Sequence, residues 1–315
     1  MSQMPVPRTG TLRRKRSKWF KHPMLMLFAL PMVLYVLLFN YVPMFGVVIA
    51  FQDFKFNKGL FGSEWVGLKN FQMFLNVGNV GRLIRNTLGY NFTFIIVGTL
   101  TSVTLAFLLY AIHSRRAVKL YQTCMFIPYY LSWVSVAYIG VILLSYDKGV
   151  FNRLRELTGL TRINYYYTPE RWPLILVLIN TWKGLAVSTA LYYSALLGID
   201  PAYREAALIE GAKEWQITLH INLPFLVPML VILHIQAIGG IFNSDFGLFY
   251  QFTQNSAMLY RTTDVIDTYI YRALMEDTKY SLSSAANLIK SIIGLVLVVS
   301  TNAVVRRVDK TLALF

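Results

Sequence analysis

Apolar residues gather into six blocks along this chain, at roughly 24–51, 87–112, 120–145, 172–197, 225–242 and 284–305, and charged and polar residues fill the segments between them. A helix that crosses a hydrocarbon core needs about 20 predominantly apolar residues, so each block predicts one crossing. Helices satisfy their own backbone groups, which lipid requires. The pattern therefore predicts an all-α polytopic membrane protein with six transmembrane helices. Its expected parts are a basic tail at 1–23, one six-helix domain at 24–305 containing a loop at 200–224, and a second tail at 306–315.

Basic residues orient the bundle. Arg13, Arg14, Lys15, Arg16, Lys18 and Lys21 precede the first block, and such a cluster stays in the cytoplasm. A cleavable signal peptide would have a shorter apolar run ending at a small-residue site, whereas this run continues through Pro31 and Pro43. Six crossings place Arg115, Arg116 and Lys119, the 200–224 loop, and Arg306, Arg307 and Lys310 on the N-terminal side. Both termini are expected to be cytoplasmic.

Composition agrees with a membrane chain: 56% of residues are hydrophobic and 14% charged, against about a quarter charged in soluble domains. The net charge of +15 is scattered over loops on both sides, which fits anionic lipid headgroups and not nucleic acid. Cys124, the lone cysteine, is expected to be a small buried apolar residue of the third block. His22, His113, His220 and His234 are too dispersed to hold a metal. Gly62 to Gly67 continues as Leu68-Lys69 and cannot cradle a phosphate, so the chain is not expected to hydrolyse ATP. Asp264 and Asp267 could hold a magnesium diphosphate in an intramembrane transferase. Lacking a second acidic cluster, they are expected instead to shape an outer helix at 264–275. The sequon Asn91-Phe92-Thr93 falls inside the second block and is discounted.

The loop at 200–224 carries more information than any other segment. Asp200 can cap a helix, Pro201 suits its first position, Gly211 can close it in the left-handed conformation, and Leu223-Pro224 should stop a second short helix. Tyr203, Ala206, Ala207 and Glu210 recur at helical spacing and make a face with two small residues that permits close approach of a partner. An ordinary interhelical loop would use its Gly and Pro only as turn markers. The full pattern, Glu205-Ala206-Ala207, Gly211 and Ile221-Asn222-Leu223-Pro224, resembles the signature loop of permease subunits of binding-protein-dependent ABC importers.

That resemblance implies an importer-type permease bundle in a bacterial cytoplasmic membrane. It implies that the first short helix is a coupling helix seated on a cytoplasmic ATPase, with Glu205, Ala206, Ala207, Gly211, Leu223 and Pro224 carrying the contact. The implied partners are a second homologous permease, two ATPase subunits and an extracytoplasmic solute-binding protein. ATP and magnesium would be bound by the ATPase, and this non-catalytic chain would bind no cofactor of its own.

A solute path calls for polar groups inside the spans. Charged residues there cost about 2.5–3.5 kcal/mol and usually face a protein interior or aqueous cavity. Lys183 lies near the middle of the fourth block, and Lys290, nearer the outer end of the sixth, could snorkel. The fourth block also offers Asn180, Trp182, Gly184, Ser188, Tyr192 and Tyr193, rings beside hydrogen-bonding groups as a sugar needs. Its spacing to Glu205 resembles sugar-importer permeases of the maltose type, which implies substrate contacts at Lys183, Gly184 and Val187. The stretch Phe242-Asn243-Ser244-Asp245-Phe246 resembles the polar segment that presents further sugar-binding side chains in that type. Lys183 and Asp245 depart from a neutral site, pointing either to a charged or larger glycan or to a pair with each other. Asn40-Tyr41-x-Pro43, Ala50-Phe51-Gln52-Asp53 and Ile266-Asp267-Thr268-Tyr269-x-Tyr271-Arg272 resemble permeases for complex polysaccharides or oligosaccharides. An importer of amino acids, peptides or phosphonates is the alternative.

Overall fold

The computed structural model describes residues 23–314, so the basic cluster from Arg13 to Lys21, and His22, lie outside the described residues. The chain divides into two units, Met1–Val48 and Ile49–Phe315. In the first, α1 (Pro23–Val36) passes into a π turn at Leu37–Tyr41 and a helical turn at Val42–Met44. Pro43 cannot donate to the carbonyl four residues back, and the wider turn makes room for its ring. No residue from Met24 to Val48 is buried, with Phe28 75% and Phe39 65% exposed. A helix apolar on every side belongs in lipid or in protein, not in water.

The second unit opens with a small hairpin in which β1 (Gln52–Asp53) pairs antiparallel with β2 (Glu64–Trp65), Gln52 opposite Trp65. Asn70, at the start of α2 (Lys69–Leu75), ties it down by donating to the carbonyls of Ala50 and Gln52, each at 2.9 Å. The long α3 (Val80–Ala111) packs along α7 (Trp172–Leu197) as the central pair of the unit. Between them come α4 (Arg115–Tyr130), α5 (Trp133–Leu144) and α6 (Val150–Leu157). After α7 follow α8 (Pro201–Ile209), α9 (Glu214–Ile217), α10 (Leu223–Gly239), α11 (Ile266–Met275) and α12 (Tyr280–Val308). Among the described residues five helices are long and apolar enough to cross a membrane, and the bent pair α4 and α5 supplies a sixth if counted as one span.

Two crossings differ from the sequence expectation. The third block, expected as one helix over 120–145, is broken between α4 and α5, whose axes bend by 93°. Leu131 and Ser132 leave the helical conformation, and the Ser132 hydroxyl accepts from the Ser135 backbone N–H to start a new helix. Cys124, expected to be buried, is exposed on α4. The second correction concerns Leu223-Pro224, which stops nothing. Glu214–Gly239 is one continuous helix because a π turn at Thr218–Asn222 widens the coil just ahead of Pro224 and relieves the clash with the preceding turn.

Packing inside the unit depends on rings and on small residues. Trp172, wholly buried, stacks edge-on against Phe252 and donates its indole N–H to the Tyr165 carbonyl. A Cβ at Gly140 would lie 2.5 Å from the Phe252 ring, so the glycine is what lets α5 reach it. At the α10–α12 crossing, Gly239 and Gly294 bring the backbones together: a Cβ on Gly294 would sit 2.8 Å from the Gly239 carbonyl oxygen. Close approach through small residues is how helices associate where lipid removes the hydrophobic driving force.

Candidate translocation and coupling site

The elbow between α7 and α10 is built as its residues dictate. The Asp200 carboxylate accepts from the Ala202 N–H at 2.9 Å, and Pro201 occupies the first position of α8. Gly211 adopts φ +84°, with its N–H on the Leu208 carbonyl and the Ala212 N–H on the Ala207 carbonyl, the paired bonds of a Schellman closure. The Gln216 side chain then accepts from the Lys213 N–H to start α9, and an Arg204–Glu214 ion pair closes the bend. Glu205 and Ala206 are exposed and Ala207 is half-buried. Tyr203, Ile209 and Trp215 are exposed as well, Ile209 at 88%. The elbow therefore presents a ready-shaped, partly apolar face. Of the six residues assigned to coupling, Leu223 and Pro224 sit apart, in the first turn of α10.

The pathway residues sort into two groups. Lys183 does not face a cavity as a free charge. Its ammonium donates to the carbonyls of Pro128 (3.2 Å), Tyr129 (3.0 Å) and Leu131 (2.6 Å), and lies 5.2 Å from the centre of the Trp133 ring. A broken helix leaves terminal carbonyls that cannot stay bare in a membrane; the ammonium reaches those of Tyr129 and Leu131 and adds a second donor to Pro128, whose carbonyl already accepts the Leu131 N–H. Asp245 is equally engaged: one carboxylate oxygen accepts from the Gly247 and Leu248 N–H groups and the other from the Trp133 indole N–H at 2.9 Å. The direct Lys183–Asp245 pair held open above is absent, and Trp133 stands between them. Gly247 belongs to the same arrangement, since a Cβ there would lie 2.0 Å from the Trp133 ring.

Ser244 is held by Asp267, which accepts its N–H at 2.7 Å and also pairs with Lys290. Lys290, expected to snorkel or face a cavity, is instead buried against that carboxylate. Asp264 pairs with Arg272 and Arg82, so neither aspartate is open to a metal. Among the described residues no cluster of three or more His, Cys, Asp or Glu could hold one. Gly184, Val187 and Asn243 make up the second group. They are exposed, with open space where a Gly184 Cβ would be. Asn180 is half-buried and Tyr192 fully buried. Trp133 was missed in the sequence. The available signal was Ser132 as a helix start inside an apolar block, which announces a break and hence carbonyls in need of donors.

Residues 98–313 match the family described as "Binding-protein-dependent transport system inner membrane component". The chain is 33% identical to the polygalacturonan/rhamnogalacturonan transport system permease protein YteP of Bacillus subtilis (strain 168), over 94% of this chain and 92% of that one. It is 26% identical to the trehalose/maltose transport system permease protein MalF of Thermococcus litoralis, over 65% of this chain and 69% of that one. Its fold matches a subunit of a bacterial ABC transporter involved in the import of the acidic polysaccharide alginate, with TM-score 0.83, 30% identity, and coverage of 91% of this chain and 96% of that one. A second structure holds that transporter in complex with its alginate pentasaccharide-bound periplasmic protein, with the same TM-score and identity over 92% and 96%. By its sequence and by its fold, this chain belongs to the inner membrane components of binding-protein-dependent transport systems.

Proposed function

We propose that this chain forms half of the translocation pathway of an ATP-driven importer of oligosaccharides or polysaccharide fragments. The observation that carries the reading is the Asp200–Lys213 elbow, a capped and closed bend that leaves Tyr203, Glu205, Ala206 and Ile209 exposed. The polygalacturonan/rhamnogalacturonan and alginate names of the relatives supply the solute class. The elbow faces the cytoplasm with both termini and seats in a partner ATPase that binds ATP and magnesium. A second permease completes the pathway, and a loaded solute-binding protein docks on the outer side. ATP closure moves the elbows and opens the bundle outward around Gly184, Val187 and Asn243. ATP supplies the differential free energy, which equal solute binding to both states cannot do.

The charges of Lys183 and Asp245 are engaged within the chain, so in this reading they shape the opening and do not select an acidic sugar. The test is ATP-dependent uptake by the assembled transporter in proteoliposomes, with trigalacturonate and maltotriose as acidic and neutral trisaccharides against amino-acid and phosphonate controls. Uptake of a trisaccharide is expected. Uptake confined to an amino acid or phosphonate overturns the carbohydrate reading.

A further inference from the structure

One cavity is absorbed neither by the elbow nor by the Gly184–Asn243 opening. It has a volume of about 410 Å3 and lies among α3, α7 and α10, within the range of about 300–1,000 Å3 usual for small-ligand sites. Ser188 and Tyr192 line it from α7, one and two turns beyond Gly184 on the same helix face. Gln236 and Gly240 line it from α10, just ahead of Asn243. Along α7 the chamber lies between Gly184 and the elbow.

Its lining carries polar groups whose hydrogen-bonding capacity is not used up within the chain. A serine or threonine in a helix normally returns its hydroxyl to the carbonyl four residues back, as Thr93, Thr101, Thr104 and Ser194 do here. The Ser188 hydroxyl and the Gln236 side-chain amide make no hydrogen bond to another described residue, and outside the chamber the hydroxyls of Ser102, Thr181 and Thr189 are likewise unpaired. Asn91 uses its amide hydrogens on the carbonyls of Thr87 and Ile241, which leaves its Oδ1 as an acceptor.

His234 is held by two hydrogen bonds. Its Nδ1 lies 2.7 Å from the Leu230 carbonyl, which can only accept, so Nδ1 carries hydrogen and Nε2 faces the Thr99 hydroxyl at 3.2 Å. No Asp, Glu, Lys or Arg lines the cavity, and Phe94 and Tyr192 give it ring walls. Uncharged donors and acceptors beside aromatic faces match a pyranose, with its hydroxyl rim and apolar C–H faces. No Lys or Arg lines the chamber, so a carboxylate there would meet hydrogen-bond donors and no ion pair.

We propose that this chamber is a second solute station, which receives one saccharide ring through its hydroxyls after the ring leaves the Gly184–Asn243 opening. The station rests on the carbohydrate reading, and it holds acidic and neutral trisaccharides through hydrogen bonds without an ion pair. The test is Ser188→Cys in a Cys124→Ser background of the assembled transporter, probed with a small hydrophilic thiol reagent. Labelling is expected, slowed several-fold when trigalacturonate or maltotriose is trapped by vanadate during turnover. Ser188→Leu, which fills the chamber, is expected to lower uptake of both by about tenfold or more. A thiol that does not label, or labels at the same rate with trapped solute, overturns the station while wild-type uptake still upholds the carbohydrate reading. Absence of any trisaccharide uptake by the wild-type transporter overturns both.

Discussion

The Trp133 indole N–H donates to the Asp245 carboxylate at 2.9 Å, joining the first residue of α5 to the segment that follows α10. These residues are 112 apart in sequence, and the bond forms at the break in the third crossing. Lys183 meets the same ring from α7, so three parts of the chain converge on one side chain. The break is held from outside itself: α7 supplies the cation that caps α4, and the segment after α10 supplies the carboxylate that anchors α5.

Removing the indole N–H tests that linkage. Trp133→Phe keeps the ring but removes a donor from the exposed Asp245 carboxylate, a loss of about 0.5–1.5 kcal/mol. Gly247→Ala is expected to be worse, because its Cβ would overlap the ring and force backbone movement. Thermal unfolding of the detergent-solubilised transporter should show both drops. A Trp133→Phe protein as stable as the parent would mean that the bond does not hold the bend.

Lys183→Met separates structural from selective roles. If the ammonium caps α4, its loss strips the carbonyls of Tyr129 and Leu131 of their donor, leaves Pro128 with the Leu131 N–H alone, and lowers yield and thermal stability. Acidic and neutral trisaccharides are then affected in equal proportion. A selective loss of the acidic one, with stability intact, would restore Lys183 as a solute ligand.

The sequence was readable where function is local and opaque where distant segments meet. The elbow is written in adjacent residues: Asp200, Pro201 and Gly211 each impose a backbone conformation, and all three do so in the structure. The charges at Lys183, Asp245, Asp267 and Lys290 were visible as costly, but cost does not name a partner. Those partners come from helices packed by tertiary structure, which one-dimensional spacing does not contain. Pro224 misled for a related reason. A proline breaks a helix unless the preceding turn widens, and the π turn at Thr218–Asn222 leaves no signature in residue type.

The Lys290–Asp267 pair predicts strong non-additivity. Lys290 is 8% and Asp267 23% exposed in their side chains, so removing either partner alone strands a charge, at a cost of about 3 kcal/mol or more. Lys290→Met combined with Asp267→Asn removes both charges and keeps an acceptor for the Ser244 N–H. The double variant should recover most of the stability lost by either single one. Additive losses in a double-mutant cycle would show that the two charges act independently.

Coupling is tested most cleanly at Gly211, whose φ of +84° suits glycine and disfavours a β-branched residue. No heavy atom lies within 4 Å of where its Cβ would be, so a substitution meets backbone strain and no clash within the chain. Gly211→Val is expected to distort the closure of α8 at about 1–2 kcal/mol, leaving the membrane helices assembled. Gly211→Asn, which tolerates the left-handed region, should do less damage. The readout is ATP hydrolysis by the reconstituted transporter with and without loaded binding protein. Stimulation should fall in the order Gly, Asn, Val, and Glu205→Lys, which reverses an exposed charge on the same face, should fall with Val. Equal stimulation in all four proteins would remove the elbow from the path between ATP and the pore.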